Sequence, residues 1–156
     1  MTIFSEARVT TNRTRHEEMK NYLKQYLILN RKINRQLEEI EALREKASRA
    51  RNAFSDMPKD PSRNKDHVDI IIKILEIEEY LKQEIEKSIE VRQDIYDFIC
   101  LLDNETIKSV MLYHYINGLT WEKTAAKMGY NWRWVHKLHA KALDQLSKIG
   151  HCKTVL

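Results

Sequence analysis

The sequence has few of the residues that interrupt helices or form disulfides. Of its 156 residues, only 3 are Gly, 2 are Pro and 2 are Cys. The two cysteines, Cys100 and Cys152, are isolated, which excludes a disulfide framework and fits a reducing compartment. The chain also has no Gly-rich phosphate loop, no nucleophile motif and no facing pair of carboxylates. We therefore expect neither enzymatic activity nor a cofactor.

Long apolar runs are absent as well. No stretch reaches the roughly 18 consecutive apolar residues of a membrane-spanning helix. Residues 1–15 also lack the apolar segment of a secretory signal. These observations predict a cytoplasmic protein with no membrane partner.

The sequence is instead rich in Glu, Lys, Leu, Ile and Ala, a composition typical of an all-α protein with long helices. Its formal net charge of +4 hides a segregation of charge along the chain. Lys and Arg outnumber acidic residues by 8 to 3 in residues 1–35 and again in residues 104–156, whereas acidic residues outnumber them by 11 to 4 in residues 66–103. Such segregation often marks a nucleic-acid surface, although the acidic segment could equally neutralise a basic one within the chain.

The two ends of the chain show no helical period. Residues 1–14 are polar and predict a flexible arm, which would either lie in a DNA minor groove or remain a frayed terminus. Residues 151–156 are predicted to form a short tail.

Residues 15–102 are predicted to form a long helical hairpin with coiled-coil character. From about Arg15 to Arg51, residues recur at steps of three and four along one seam. The seam consists of Tyr22 or Leu23, Tyr26, Asn30, Ile33, Leu37, Ile40, Leu43 and Ala47. A helix of about 36 residues is roughly 54 Å long, so it needs a partner helix to cover its apolar side. Asn30 would either fix the register from a buried position or lie in water at the edge.

The partner is predicted from about Asp66 to Leu102, after a loop over residues 52–66 that contains both prolines. Its stripe consists of Ile70, Ile74, Ile77, Leu81, Ile85, Ser88, Val91, Ile95, Phe98 and Leu102. A further apolar group lies beside this stripe, namely Val68, Ile71, Ile72 and Leu75. Since one antiparallel helix covers only one face, the surplus predicts a second contact, most simply with another subunit of a homodimer.

Residues 103–150 predict three shorter helices with clear start and stop signals. Asp103 or Asn104 can cap a helix from about Glu105 to Ile116, and Gly118 is placed to end it. Its inward side would be Ile107, Val110, Met111, Tyr113 or His114, and Ile116. Thr120 can cap a helix over residues 121–128, and Asn131 can cap a last helix that runs to about Lys148.

The last two of these helices carry the offsets of a helix-turn-helix. The first helix needs a small residue where the second passes, and Ala125 supplies it. The turn needs Gly four residues later, at Gly129, and the second helix needs apolar residues at Val135 and Leu138. The agreement of several offsets in one short stretch predicts a helix-turn-helix over residues 103–150.

The predicted recognition helix has a basic and aromatic outer face. If Val135, Leu138, Ala142 and Leu146 face inward, its N-terminal part can enter the major groove of double-stranded DNA. Arg133 and Lys137 could then contact guanine edges or phosphates. The candidate DNA-binding residues are Thr120, Asn131, Trp132, Arg133, Trp134, His136, Lys137 and Lys141. The alternatives are core packing for one tryptophan and a solvated helix face for the basic residues.

The segment NGLTWEKTAAKMGYNWRWVHKLHAKALDQL, residues 117–146, resembles region 4 of bacterial sigma factors, the part that reads promoter DNA. The version with TWEKTAAKMGY and WVHKLHAKAL is similar to small phage and prophage transcriptional regulators of the RinA and ArpU kind. This resemblance implies a sigma-region-4-like helix-turn-helix after a helical N-terminal segment. It also implies a regulator of phage late or lysis genes in a bacterial host cell. The helical N-terminal segment would then either set the spacing of two subunits or contact RNA polymerase.

Two other interpretations compete with a DNA-binding regulator. A helical protein–protein adaptor would act through the hairpin and use the C-terminal helices only for packing. A zinc site could be imagined from His136, His139, His151 and Cys152. Their spacing fits no common zinc pattern, so we expect no bound metal.

Overall fold

The protein is all-α in a computed structural model that describes the backbone of residues 3–53 and 61–150 and the side chains of residues 13–52 and 65–150. Over these ranges the chain forms five helices and no strand. They are α1 (Ile3–Ala53), α2 (Pro61–Cys100), α3 (Glu105–Tyr115), α4 (Trp121–Met128) and α5 (Trp132–Ile149). None of these helices combines the length and the apolar character needed to cross a membrane.

The long helices are longer than predicted. Residues 3–14, which show no helical period in the sequence and were predicted to form a flexible arm, are part of helix α1. This segment contains no Gly or Pro, and a helix that has already formed extends through such residues without an apolar period. Helix α2 likewise begins at Pro61, before the predicted cap Asp66, because Pro is well tolerated in the first turn of a helix. The predicted tail 151–156 lies outside the described residues.

The chain divides into two compact units, and the division differs from the predicted one. One unit, here called the hairpin unit, is Leu29–Ser88. The other, here called the split unit, combines Met1–Ile28 with Ile89–Leu156. The three short helices therefore do not form a separate unit over residues 103–150, since the start of α1 and the end of α2 belong with them.

The hairpin unit pairs α1 with α2 in opposite directions. Its small core contains the buried side chains Ile33, Ile40 and Leu81, against which Ile74 and Ile77 pack. Surface ion pairs also join the two helices, namely Lys32–Glu84, Glu39–Lys73 and Arg44–Glu78. Exposed pairs of this kind contribute at most about 1 kcal/mol each, so the apolar core is the main stabilising contact of the hairpin.

The predicted hairpin seam is only partly buried. Leu37 and Ile85 belong to the predicted stripes, yet both are largely exposed. When only two helices pack together, each buries a narrow strip of the other's surface. Residues at the edge of that strip stay in contact with water. Val68, Ile71, Ile72 and Leu75, which the sequence placed outside the stripe, are also exposed.

The split unit contains most of the buried apolar residues of the described chain. The start of α1 contributes Met19, Tyr22 and Leu23, and the end of α2 contributes Val91, Ile95, Phe98 and Ile99. The rings of Tyr22 and Phe98 meet edge to face with their centroids 5.6 Å apart. Helices α3, α4 and α5 contact one another pairwise. A side-chain contact between His16 and Asp144, 2.6 Å apart, joins α1 to α5. The short helices thus share a core with the ends of the long ones.

Candidate nucleic-acid interface

Side-chain caps set where each short helix begins. Asn104 caps α3 by accepting a hydrogen bond from the backbone N–H of Ile107. The hydroxyl of Thr120 accepts from the N–H of Lys123 at 3.3 Å, and the amide oxygen of Asn131 accepts from the N–H of Trp134 at 2.8 Å. The predicted caps at Thr120 and Asn131 are confirmed, and Asn104 rather than Asp103 caps α3. These bonds satisfy N–H groups that the first turn of a helix leaves free.

The turn between α4 and α5 requires Gly129. This residue has φ 69 and ψ 27, in the left-handed region, as predicted. The N–H of Tyr130 bonds to the carbonyl of Ala125 at 3.0 Å and closes the turn. A Cβ at Gly129 would meet no atom within 4 Å, so the backbone conformation rather than space calls for glycine here.

We expect Gly129→Ala to lower the free energy of unfolding by about 1–2 kcal/mol, because an L side chain is disfavoured in the left-handed region. Gly129→Asn is the matched control, since Asn adopts this conformation more readily than Ala. Urea denaturation of both variants measures the difference. Equal stability of the Ala variant and the wild-type protein would contradict this account of the turn.

Helix α5 buries the side that the sequence predicted. Val135, Ala142 and Leu146 are fully buried, and Leu138 is nearly so. They lie in the same compact unit as the buried residues of α3, which are Ile107, Val110, Met111 and Tyr115. The predicted inward face of α5 is confirmed. Its opposite side is held outward because the buried side cannot rotate without exposing this core.

The opposite side of α5 is basic, aromatic and exposed. We call it the basic face, and it consists of Asn131, Trp132, Arg133, Trp134, Lys137 and Lys141. Trp132 and Trp134 are 51% and 46% exposed, so the alternative that one of them fills the core is wrong. Arg133, Lys137 and Lys141 follow at steps of four, which places them along one side of the helix. None of the three forms an ion pair with another described residue.

His136 does not belong to the basic face. It is half-buried, and its ring lies between Trp132 and Trp121, with centroids 4.2 Å and 5.1 Å away. The expectation that His136 reaches DNA stays a prediction, and the structure adds a packing contact in which its ring supports the side chain of Trp132. The sequence could not reveal this, because Trp121 lies on a different helix.

A groove beside the basic face extends it toward α3. The groove has a volume of about 320 Å³, and α3 and the residue that caps it contribute Asn104, Thr106 and Ile107 to its wall. On the other side lie Tyr130, Trp134, Lys137, Leu138 and Lys141. The two lysines thus line the same groove as the N-terminal end of α3. Sequence reasoning missed the part played by α3, since only the fold brings its first turn next to α5.

A cluster of rings joins the three short helices, and we call it the ring cluster; it consists of His114, Tyr115, Trp121 and His139. Tyr115 of α3 is hydrogen-bonded through its hydroxyl to Nε2 of His139 on α5, at 2.9 Å. The ring of His114 stacks on Trp121 of α4, with centroids 3.6 Å apart. His139 is therefore a packing residue whose ring nitrogen is already engaged. Within the described residues, no group of three or more His, Cys, Asp or Glu is arranged to hold a metal ion, and His151 and Cys152 lie outside this range.

We expect the ring cluster to make the free energy of unfolding depend on pH. Burial lowers the pKa of His139 to about 3 and also lowers the pKa of His114. A histidine in the unfolded chain titrates near about 6.5, so below that pH the unfolded state binds more protons than the folded state. We expect the free energy of unfolding to fall as the pH decreases from about 6.5 toward the folded pKa of about 3.

Urea denaturation at several pH values measures this effect. His139→Gln removes the main titrating group while keeping a polar side chain opposite Tyr115, so its stability should depend less on pH than that of the wild-type protein. Identical pH profiles for the two proteins would contradict the assignment to His139.

Comparison of the chain with protein-family models, with curated proteins and with solved structures found no match.

Proposed function

We propose that the protein is a sequence-specific DNA-binding transcriptional regulator that places the N-terminal half of α5 in the major groove of promoter DNA. The observation that carries the proposal is the basic face. Its aromatic side chains, and its basic side chains that form no ion pair with a described residue, lie on the outer side of a helix whose other side is buried. An α-helix about 10–12 Å across fits the major groove, which is about 12 Å wide. A solvated helix face would not need two large aromatic side chains among its basic residues.

The roles of individual residues follow from their positions on α5. Arg133 and Lys137 lie in its first turns, where side chains reach base edges, and each could donate to guanine O6 and N7. Lys141 lies one turn further along and suits a phosphate. Trp132 and Trp134 offer apolar surface to sugars or to a thymine methyl group. Asn131 uses its amide oxygen as a helix cap and keeps its side-chain NH2 group as a donor for phosphate. The hydroxyl of Thr120 caps α4 and donates to the Glu122 carboxylate, so it would have to exchange that acceptor for a phosphate.

The resemblance to sigma factor region 4 and to the RinA and ArpU regulators extends the proposal. Three features of the structure support a sigma-region-4-like helix-turn-helix after α3. They are the capped start of α4, the left-handed conformation of Gly129 and the capped start of α5. On this basis the protein is a regulator of phage or prophage late genes, not an enzyme, and acts in the cytoplasm of a bacterial host cell. RNA polymerase is its proposed protein partner at the promoter.

We also propose that the protein binds DNA as a homodimer. Two copies of α5 would contact two half-sites, and the doubled contact area gives small modules of this kind useful affinity and specificity.

Selection of bound duplexes from a random pool, followed by affinity measurements at several salt concentrations, tests the proposed function. The proposal predicts an enriched sequence and a steep fall in affinity as salt rises, because each neutralised phosphate releases counterions. The competing function is a helical protein–protein adaptor, which the exposed apolar residues of α2 favour. An adaptor would enrich no sequence and show no steep salt dependence.

A further inference from the structure

One side of α2 in the hairpin unit is apolar and uncovered. We call it the outer strip; Val68, Ile71, Ile72 and Leu75 form it and are 48%, 42%, 48% and 58% exposed. Residues at these spacings lie on one side of a helix. Ile74, Ile77 and Leu81 lie on a different side of α2, where they pack in the hairpin core. Among the described residues, therefore, helix α1 does not cover the outer strip.

The spacing of the outer strip is the same in both directions. Its steps are three, one and three residues, so the strip is symmetric about a point between Ile71 and Ile72. Two copies of α2 that run in opposite directions can therefore match every member, with Val68 against the partner's Leu75 and Ile71 against the partner's Ile72. This self-complementarity is what a two-fold dimer interface requires.

The charges beside the strip favour the same orientation. Lys65 precedes the strip and Glu79 follows it, and both side chains are exposed. In an antiparallel pair Lys65 lies near the partner's Glu79, whereas a parallel pair sets Lys65 against Lys65 and Glu79 against Glu79. Neither residue forms an ion pair with another side chain in the described ranges. Opposite charges thus meet only in the antiparallel arrangement.

We propose that the outer strip is the subunit interface of the homodimer, formed by antiparallel contact with the strip of a second copy. This inference deepens the proposed homodimer and does not depend on how α5 binds DNA. The interface lies in the hairpin unit, so subunit contact and DNA contact are assigned to different parts of the chain.

Sedimentation of the full chain without DNA tests the interface. We expect a dimer at micromolar concentration for the wild-type protein, and a monomer with unchanged helix content for Ile71→Glu combined with Leu75→Glu. Ile89→Glu is the matched control, because Ile89 lies on the same helix, is 63% exposed and is outside the strip. A wild-type monomer, a strip variant that remains dimeric or a control that dissociates equally would overturn the proposal.

Cysteine cross-linking tests the orientation, in a background with Cys100→Ser and Cys152→Ser. In the antiparallel pair, the two copies of residue 68 are separated by about 10 Å along the helices, too far for a disulfide. We expect Val68→Cys and Leu75→Cys subunits to cross-link when mixed under oxidising conditions, and neither to cross-link alone. Cross-linking of Val68→Cys by itself would show a parallel pair and overturn the proposed orientation.

Reversal of charge gives an independent check on the orientation. Lys65→Glu should weaken the dimer by about two- to five-fold, and adding Glu79→Lys should restore it. In a parallel pair, Lys65→Glu would only exchange a Lys–Lys contact for a Glu–Glu contact, so a dimer that this variant leaves unchanged would contradict antiparallel pairing. The monomeric strip variant distinguishes failure of the dimer interface from failure of DNA binding by α5. If α5 contacts DNA as proposed, this variant should still bind a duplex that contains one half-site.

Discussion

Replacing Arg133 and Lys137 together with Ala should lower the affinity for the selected duplex by about 1–3 kcal/mol for each base contact that is lost. This corresponds to a factor of about 5 to 160 for each contact. Both side chains are exposed and unpaired with other described residues, so their removal leaves the core of the split unit intact. Fluorescence anisotropy with a labelled duplex measures the affinity, and circular dichroism measures the helix content.

The control for this experiment removes the same charges elsewhere. Arg35→Ala with Lys46→Ala also deletes one Arg and one Lys, both exposed on α1 in the hairpin unit. We expect this control to bind the selected duplex nearly as well as the wild-type protein, apart from a small effect of net charge. An equal loss of affinity in both double variants would show that binding depends on overall charge rather than on the basic face.

Leu23→Ala should destabilise the split unit by about 2–5 kcal/mol, the usual cost of removing a buried leucine side chain. Leu23 is fully buried, and it lies on α1, far in sequence from the helices proposed to bind DNA. The chain's 3 tryptophans, Trp121, Trp132 and Trp134, all lie in the split unit. Tryptophan fluorescence during urea denaturation therefore reports on this unit specifically.

Ile28→Ala is the matched control for Leu23→Ala. It shortens an apolar side chain on the same helix, but Ile28 is 55% exposed, so we expect a change within about 0.5 kcal/mol. We also expect Leu23→Ala to lose DNA binding at a lower temperature than the control. If the tryptophan transition of Leu23→Ala matched that of Ile28→Ala, α1 would not belong to the core that holds α5.

Local sequence rules predicted the local features of the site. The caps Thr120 and Asn131 and the left-handed Gly129 follow from the chemistry of side chains near helix ends and turns. The inward side of α5 follows from the helical period of Val135, Leu138, Ala142 and Leu146. Each of these features depends on residues only a few positions apart, so one sequence is enough to reveal them.

Features that depend on distant residues were not predictable in the same way. A helical period indicates that α1 needs a partner, but it does not say that its first part shares a core with α3 and α5. The bond from Tyr115 to His139 and the packing of His136 between two tryptophans join different helices. The exposure of Leu37 and Ile85 depends on the width of the surface that α1 and α2 bury between them. An apolar stripe in the sequence does not specify this width.

Protection of guanine N7 from methylation is the most direct test of the central claim, because N7 lies in the major groove. The selected duplex is treated with dimethyl sulfate alone, with wild-type protein and with the double variant Arg133→Ala, Lys137→Ala. The proposed function predicts that the wild-type protein protects guanines within the selected site, and that the folded double variant loses this protection. Equal protection by both proteins, or none by the wild-type protein on any selected duplex, would contradict the claim that α5 reads the major groove.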